Sequence, residues 1–151
     1  MKKSLLYDTG ILIYIVRDNS ISEDVRKMVN PDGSDEFISV VNKAEALSIA
    51  NQNAWGKLKI SKLTRLFGDI TTVDISNDLI IDKYVEIDVF SQKQRGNKKE
   101  DSPRNMGKND LWIAATSSIL GFKLITTDKD YDHLQNEFLE RSYFSPESFK
   151  K

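Results

Sequence analysis

Short apolar runs alternate with helical patterns along the chain, and this alternation limits the fold more than any other feature. Apolar, β-branched and aromatic runs predict five strands, at residues 4–7, 36–41, 70–73, 122–126 and 142–144. Apolar residues recur at helical spacing elsewhere and predict helices that include 42–53, 57–67, 77–93, 109–120 and 131–139. Strands that alternate with helices form a mostly parallel sheet with helices on both faces. The sequence therefore predicts a three-layer α/β/α fold.

The length and the lack of sulfur and imidazole ligands exclude several classes of protein. A chain of 151 residues suits one domain, and we expect residues 1–151 to form a single unit. The absence of cysteine excludes disulfide scaffolds, thiolate nucleophiles, zinc ribbons and iron–sulfur clusters. His133 is the only histidine, and we expect a surface or capping role for it. The formal net charge of -1 means that a nucleic-acid partner needs a local basic patch.

No segment has the pattern of an export signal or a membrane span. The first apolar run is interrupted by Asp8, whereas a signal peptide needs a longer apolar core. No stretch approaches the ~20 apolar residues of a transmembrane helix. We therefore expect a cytoplasmic protein that has no membrane association.

Acidic residues stand where predicted strands end or helices begin. Asp8 follows the first strand and Asp128 follows the fourth, and the carboxyl ends of parallel strands share one edge of a sheet. Glu45 falls in the first predicted turn of the helix after the second strand. Asp110 falls in the first turn of the helix that leads into the fourth strand, and that helix runs antiparallel to the strand. We therefore expect these four carboxylates to converge on one cleft.

Such a cluster has two interpretations. Carboxylates at close range repel one another, and a divalent cation removes that repulsion. Oxygen ligands in a chain without cysteine favour Mg²⁺ or Mn²⁺ over zinc, and these ions support nuclease or phosphatase chemistry. Alternatively, each acid is only a cap or turn residue, since both positions favour carboxylates. The Asp-Thr-Gly tripeptide at 8–10 also occurs in aspartic proteases, but their all-β fold does not suit this helical pattern.

A basic polar segment at 94–108 lacks apolar periodicity and is predicted to be a loop. Lys98, Lys99 and Arg104 within it are candidates for contacts with the phosphates of a nucleic-acid backbone. The alternative is a loop that is only solvated. The basic face of the helix at 57–67 has the same two interpretations, and we expect it to be solvated.

Three segments together resemble the PIN-domain ribonucleases, and in particular the toxins of VapBC toxin–antitoxin systems. They are LLYDTGILIYIV at 5–16, ISVVNKAEALSIA at 38–50 and KNDLWIAATSSILGFKLITTDKDYDHL at 108–134. The third is the most specific, because it joins Asp110, a helix of small residues, Gly121 and a strand that leads into Asp128. The resemblance extends from Leu5 to about Tyr143, and the basic segment at 94–108 departs from the family pattern.

The resemblance implies a metal-dependent endoribonuclease that cleaves RNA with Mg²⁺ or Mn²⁺. It implies a PIN-like central sheet of about five strands, a homodimer, and a small antitoxin protein that covers the acidic groove. A non-catalytic RNA-binding or interaction module of the same fold would use the same acidic edge, and so would a metal-dependent phosphatase. These alternatives remain open at the level of the sequence.

The resemblance also assigns roles to the acidic residues. The implied catalytic residues are Asp8, Glu45, Asp110 and Asp128. The three aspartates of this set would bind the metal, whereas Glu45 would ligate it indirectly or orient the attacking water. Thr9 would orient Asp8 or a bound water. Asp130 would support the site, and both Asp130 and Asp132 are alternatives to Asp128 as the fourth acid.

Overall fold

The computed structural model describes residues 2–20, 23–96 and 106–150. Within these ranges the chain forms five strands, β1 (Leu5–Tyr7), β2 (Glu36–Ser39), β3 (Thr71–Val73), β4 (Lys123–Thr126) and β5 (Arg141–Tyr143). They form one sheet in the order β3-β2-β1-β4-β5, and every pairing between neighbours is parallel. The predicted parallel sheet is therefore confirmed.

The helices of the described residues lie between these strands. They are α1 (Thr9–Arg17), α2 (Asp24–Val29), α3 (Val40–Gln52), α4 (Lys57–Asp69), α5 (Asp78–Gly96) and α6 (Lys108–Leu120). Two short 3₁₀ helices follow β4 and β5, at Lys129–Leu134 and Pro146–Phe149. None of these helices is both long and apolar enough to cross a lipid bilayer.

Both faces of the sheet are buried, because successive side chains of a strand point to opposite faces. On one face, Leu5 and Tyr7 of β1 pack with apolar residues of α1, α3 and α4. On the other face, Leu6 packs with apolar residues of α5 and α6. The sheet is thus the middle layer of an α/β/α arrangement, as predicted.

The register of the strands brings their carboxyl ends to one edge. Tyr7 pairs with Ile125, and Thr126 pairs with Tyr143. The helices α1 and α3 begin at this edge, because each follows a strand almost directly. The helix α6 leads back into β4, so its first turn lies at the same edge. Residues that follow β1 and β4 therefore meet the first turns of three helices.

The strand β2 ends two residues earlier than predicted, because Ser39 caps α3. Ser39 Oγ accepts a hydrogen bond from the N–H of Val41 at 3.1 Å, and Asn42 Oδ1 accepts one from the N–H of Ser39 at 3.0 Å. This reciprocal capping box places two β-branched residues, Val40 and Val41, in the first turn of a helix. Glu45 consequently lies in the second turn of α3, and the prediction of a first-turn position is wrong.

The prediction of a helix at 131–139 is also wrong. The 3₁₀ helix Lys129–Leu134 takes its place and ends before Asn136, whose φ of 67° is left-handed. A residue in that conformation cannot continue a right-handed helix. The carbonyl of Leu134 accepts hydrogen bonds from the N–H groups of Glu137 and Phe138 instead, which makes a compact turn.

Candidate active site

Asp8 lies at the carboxyl end of β1, where it caps α1. Its side chain is 7% exposed. Its Oδ1 accepts from the Thr9 N–H at 2.9 Å, and its Oδ2 accepts from Thr126 Oγ1 at 2.7 Å. Burial raises the pKa of Asp8 to about 7, and the negative charges of Asp110 and Asp128 act in the same direction. The two hydrogen bonds act in the opposite direction but do not compensate for the loss of water.

Thr126 connects the acids of two strands. Its hydroxyl donates to Asp8 and accepts from the Asp128 N–H at 2.9 Å. The side chain is fully buried at the end of β4. The sequence analysis did not single out this residue. The signal that could have identified it is a hydroxyl side chain at the last position of an apolar strand, two residues before an aspartate.

Asp110 enters the site from the first turn of α6. Its Oδ1 accepts from the Tyr131 hydroxyl at 3.0 Å. The pKa of Asp110 is raised to about 6, chiefly by burial and also by the charges of Asp128, Glu45 and Asp130, while the hydrogen bond from Tyr131 acts in the opposite direction. Tyr131 is fully buried beneath the cluster, and burial together with the neighbouring carboxylates raises the pKa of its phenol well above 10. Tyr131 is a second residue that sequence reasoning missed.

Asp128 and Asp130 complete the acidic cluster from the turn after β4. Asp128 caps the 3₁₀ helix, where its Oδ1 accepts from the Asp130 N–H at 2.9 Å. One carboxylate oxygen from each of Asp110, Asp128 and Asp130 lies within 4.8 Å of the others. Asp132, by contrast, pairs with Arg141 Nη2 at 2.8 Å. The structure thus brings both Asp128 and Asp130 to the cluster and directs Asp132 to β5.

Glu45 reaches the site through Thr9. The Thr9 hydroxyl donates to Glu45 Oε1 at 2.9 Å and accepts from Asn42 Nδ2 at 3.1 Å. Asn42 is fully buried, and its Oδ1 is the acceptor of the capping box, so one side chain fixes both the start of α3 and the Thr9 hydroxyl. Thr9 therefore contacts Asp8 through its backbone N–H and positions Glu45 through its hydroxyl. Sequence reasoning did not single out Asn42.

Close packing of α1 against the turn after β4 holds the two halves of the site together. A Cβ atom added to Gly10 would lie 2.6 Å from Thr127 Oγ1. That separation is shorter than real Cβ contacts allow, so a side chain at this position would require the Thr127 hydroxyl or one of the two segments to move. Gly10 follows Thr9, and Thr127 precedes Asp128.

Two further predictions from the sequence concern basic residues and the histidine. Lys98, Lys99 and Arg104 fall outside the described residues. His133 is partly buried between the 3₁₀ helix and α5, where its Nε2 lies 2.8 Å from Ser91 Oγ and its ring stacks near Phe90. The imidazole therefore packs between two elements and stays partly exposed at the surface, in the last turn of the 3₁₀ helix.

The donor set of the cluster suits a hard divalent cation. All candidate ligands are carboxylate oxygens, and Mg²⁺ and Mn²⁺ prefer such ligands. The raised pKa values of Asp8 and Asp110 show that the charges of this edge are unfavourable in the protein alone. A cation would compensate for these charges, and a cap or turn role explains neither the burial of Asp8 nor the meeting of four chain segments.

Comparison with known proteins identifies the domain family that this chain resembles. A profile of the PIN domain matches residues 5–137. A search of curated proteins finds no significant match.

Several solved structures share the fold over nearly the whole chain. VapBC2 of Rickettsia felis, bound to promoter DNA, superposes with a TM-score of 0.72 and 18% identity, covering 94% of this chain and 99% of that chain. VapBC-1 of nontypeable Haemophilus influenzae superposes with a TM-score of 0.67 and 22% identity, covering 93% of this chain and 97% of that chain. VapC20 of Mycobacterium tuberculosis is a toxin that cleaves the sarcin–ricin loop. It superposes with a TM-score of 0.60 and 12% identity, covering 90% of this chain and 97% of that chain. At these identities the likeness establishes a shared fold.

Proposed function

The chain belongs to the PIN-domain family, and from this premise we propose that it is a metal-dependent endoribonuclease, the toxin of a toxin–antitoxin pair. The observation that carries the proposal is the convergence of Asp110, Asp128 and Asp130 within 4.8 Å at the carboxyl edge of the sheet, beside the buried Asp8. The similar folds of VapBC proteins, one of them an RNA-cleaving toxin, support the choice of RNA as substrate.

We assign metal binding to Asp8, Asp110 and Asp128, with Asp130 as a further ligand. A bound Mg²⁺ or Mn²⁺ supplies Lewis-acid stabilisation of a phosphate and a more acidic water. The protein's own contribution is to hold the ligands. Thr126 fixes one oxygen of Asp8 and Tyr131 fixes one oxygen of Asp110, so each carboxylate has one orientation before the substrate arrives.

Glu45 is assigned a role in orienting the attacking water or binding the metal through a water. Its Oε1 is held by the Thr9 hydroxyl, and its charge reaches Asp110. In the proposed reaction the oxygen of water attacks the phosphorus of an RNA phosphodiester, the bond to one ribose oxygen breaks, and that ribose oxygen takes a proton from solvent to leave as a hydroxyl. In this assignment Glu45 would orient the attacking water, and its carboxylate would be the group that receives the proton of that water.

An antitoxin and a second copy of this chain are the proposed protein partners, and we treat residues 1–151 as one cytoplasmic PIN-like domain. The homodimer is supported by an apolar stripe on α5. Ile81, Val85 and Val89 are 43%, 55% and 48% exposed and recur every four residues on one side of the helix. Apolar side chains in such a stripe favour association with another surface.

The proposal is tested by incubating the purified protein with labelled RNA in Mg²⁺, in Mn²⁺ and in EDTA. We expect cleavage within the RNA that requires the metal and that Asp110→Asn abolishes. Asp69→Asn is the matched control, because Asp69 lies at the end of α4 and its exposed carboxylate contacts only Arg26 at 3.5 Å among the described ion pairs. RNA binding without cleavage would indicate a non-catalytic module. Hydrolysis of a chromogenic phosphomonoester without RNA cleavage would indicate a phosphatase.

A further inference from the structure

An aromatic side chain stands on the strand next to the acidic cluster. Tyr143 is the last residue of β5 and pairs in register with Thr126. Neighbouring strands lie about 4.8 Å apart, and Thr126 is hydrogen-bonded to Asp8. The backbone of Tyr143 is therefore one strand spacing from a residue of the proposed metal centre.

The ring of Tyr143 does not pack on the same face of the sheet as the ring of Phe144. Phe144, the next residue, packs with Phe149 at a centroid distance of 6.1 Å on the α1 side of the sheet. Tyr143 points to the opposite face, as alternation along a strand requires, and remains partly exposed. In the described part of the chain, neither apolar core includes Tyr143.

A lysine accompanies this ring. Lys129 lies between Asp128 and Asp130 in the chain, is exposed, and places its Nζ 5.8 Å from the centroid of Tyr143. A cation–π contact at an exposed site is weak, so it leaves the ammonium able to move to a nearby phosphate. The pair thus offers a cation and an aromatic surface beside a cluster of carboxylates.

A substrate phosphate faces an electrostatic problem at this edge, because acidic side chains repel it and the chain as a whole has a net charge of -1. Single-stranded nucleic acid is bound by cations that contact the backbone and by aromatic rings that stack with bases. We infer that Tyr143 stacks with the base of a nucleotide that adjoins the scissile phosphodiester, and that Lys129 binds the phosphate of that nucleotide. This inference rests on the proposed ribonuclease function and names the single-stranded form of RNA as the substrate.

The inference is tested by the binding of a fluorescein-labelled oligouridylate to the full chain that carries Asp8→Asn, in which cleavage is expected to be too slow to interfere. Adding Tyr143→Ala should weaken binding roughly tenfold or more, whereas Tyr143→Phe, which keeps the ring, should bind as the parent does. Adding Lys129→Ala should weaken binding and lower the salt dependence by about one phosphate contact. Lys123→Ala is the matched control, because Lys123 begins β4 at the opposite edge of the sheet. Thermal melts confirm that each variant is folded.

The same substitutions in the active protein separate this inference from the proposed function. With Lys129 or Tyr143 replaced by alanine, we expect a raised KM for RNA cleavage and a kcat within a few-fold of wild type. If wild type cleaves RNA and all folded variants bind and cleave as their parents do, the inference is wrong and the ribonuclease function stands. If wild type does not cleave RNA but Tyr143→Ala and Lys129→Ala still weaken oligouridylate binding, the binding surface stands and the ribonuclease function is wrong.

Discussion

The carboxylate of Asp8 is buried, and its charge is unfavourable in the protein without metal. Because burial raises its pKa from 3.8 to about 7, the folded chain holds this proton more tightly than the unfolded chain does. The free energy of unfolding therefore falls as the pH rises between these two values, and the loss is complete above the higher one. This is the reverse of the dependence that a salt-bridged aspartate produces.

Replacing Asp8 by asparagine should remove this dependence. In EDTA, we expect wild type to lose stability between about pH 4 and about pH 7, by roughly a few kcal/mol. Asp8→Asn should show a flatter profile and equal or exceed wild type near neutral pH, because it keeps an oxygen for the Thr9 N–H. Urea titrations across this range measure the difference. A variant that is less stable at every pH by about 1 kcal/mol would show that Asp8 is only a cap.

The neighbouring acids Asp130 and Asp132 form a natural matched pair. Asp130 contributes an oxygen to the cluster, whereas Asp132 pairs with Arg141. We expect Asp130→Asn to lower the cleavage rate by about tenfold or more and to weaken Mn²⁺ binding, measured by calorimetry. Asp132→Asn should retain both properties and lose only thermal stability. The opposite ranking would transfer the metal site to Asp132.

At the scale of elements, the site depends on the packing of α1 against the turn after β4. Gly10→Ala should destabilise the protein by about 1–3 kcal/mol and lower cleavage, because its Cβ would lie 2.6 Å from Thr127 Oγ1. Thr127→Ala removes that atom, so the double variant should regain stability and activity. Denaturant titrations of wild type, the two single variants and the double variant give the coupling free energy of a double-mutant cycle. Additive losses would show that this contact does not couple the segments.

The elements were largely predictable because their apolar patterns agree with their burial. The start of α3 was not, because Val40 and Val41 favour strands locally and the capping box of Ser39 and Asn42 overrides that preference. Periodicity also could not reveal the short turn around Asn136, since its left-handed φ depends on local hydrogen bonds.

The convergence of the acids on one edge was predictable as far as topology fixes it. Asp8 and Asp128 follow adjacent parallel strands, so their meeting follows from the order of the strands. The partners that orient the acids were not predictable, because spacing along a chain does not say which buried hydroxyl faces which carboxylate. Thr126 and Tyr131 are of this kind, and only the packed structure shows their bonds to Asp8 and Asp110.

At the scale of the whole molecule, assembly is tested by the apolar stripe on α5. Val85→Glu should shift the protein from dimer to monomer in sedimentation, because a charge in an apolar interface is costly. Leu58→Glu is the control, since Leu58 is 74% exposed on α4, away from the stripe. A wild type that is monomeric at all concentrations, or a Val85→Glu protein that remains dimeric, would contradict the proposed interface.

In the proposed function, a metal held by these carboxylates supports the cleavage of RNA. This is tested most directly by measuring single-turnover cleavage of labelled RNA by wild type and Asp8→Asn in Mn²⁺. The substitution preserves size but removes a charged ligand. We expect cleavage by wild type that EDTA stops, and a rate for the variant that is lower by roughly two orders of magnitude or more, with thermal melts showing that both proteins are folded. A folded Asp8→Asn that cleaves at the wild-type rate, or wild-type cleavage that persists in EDTA, would contradict the proposed function.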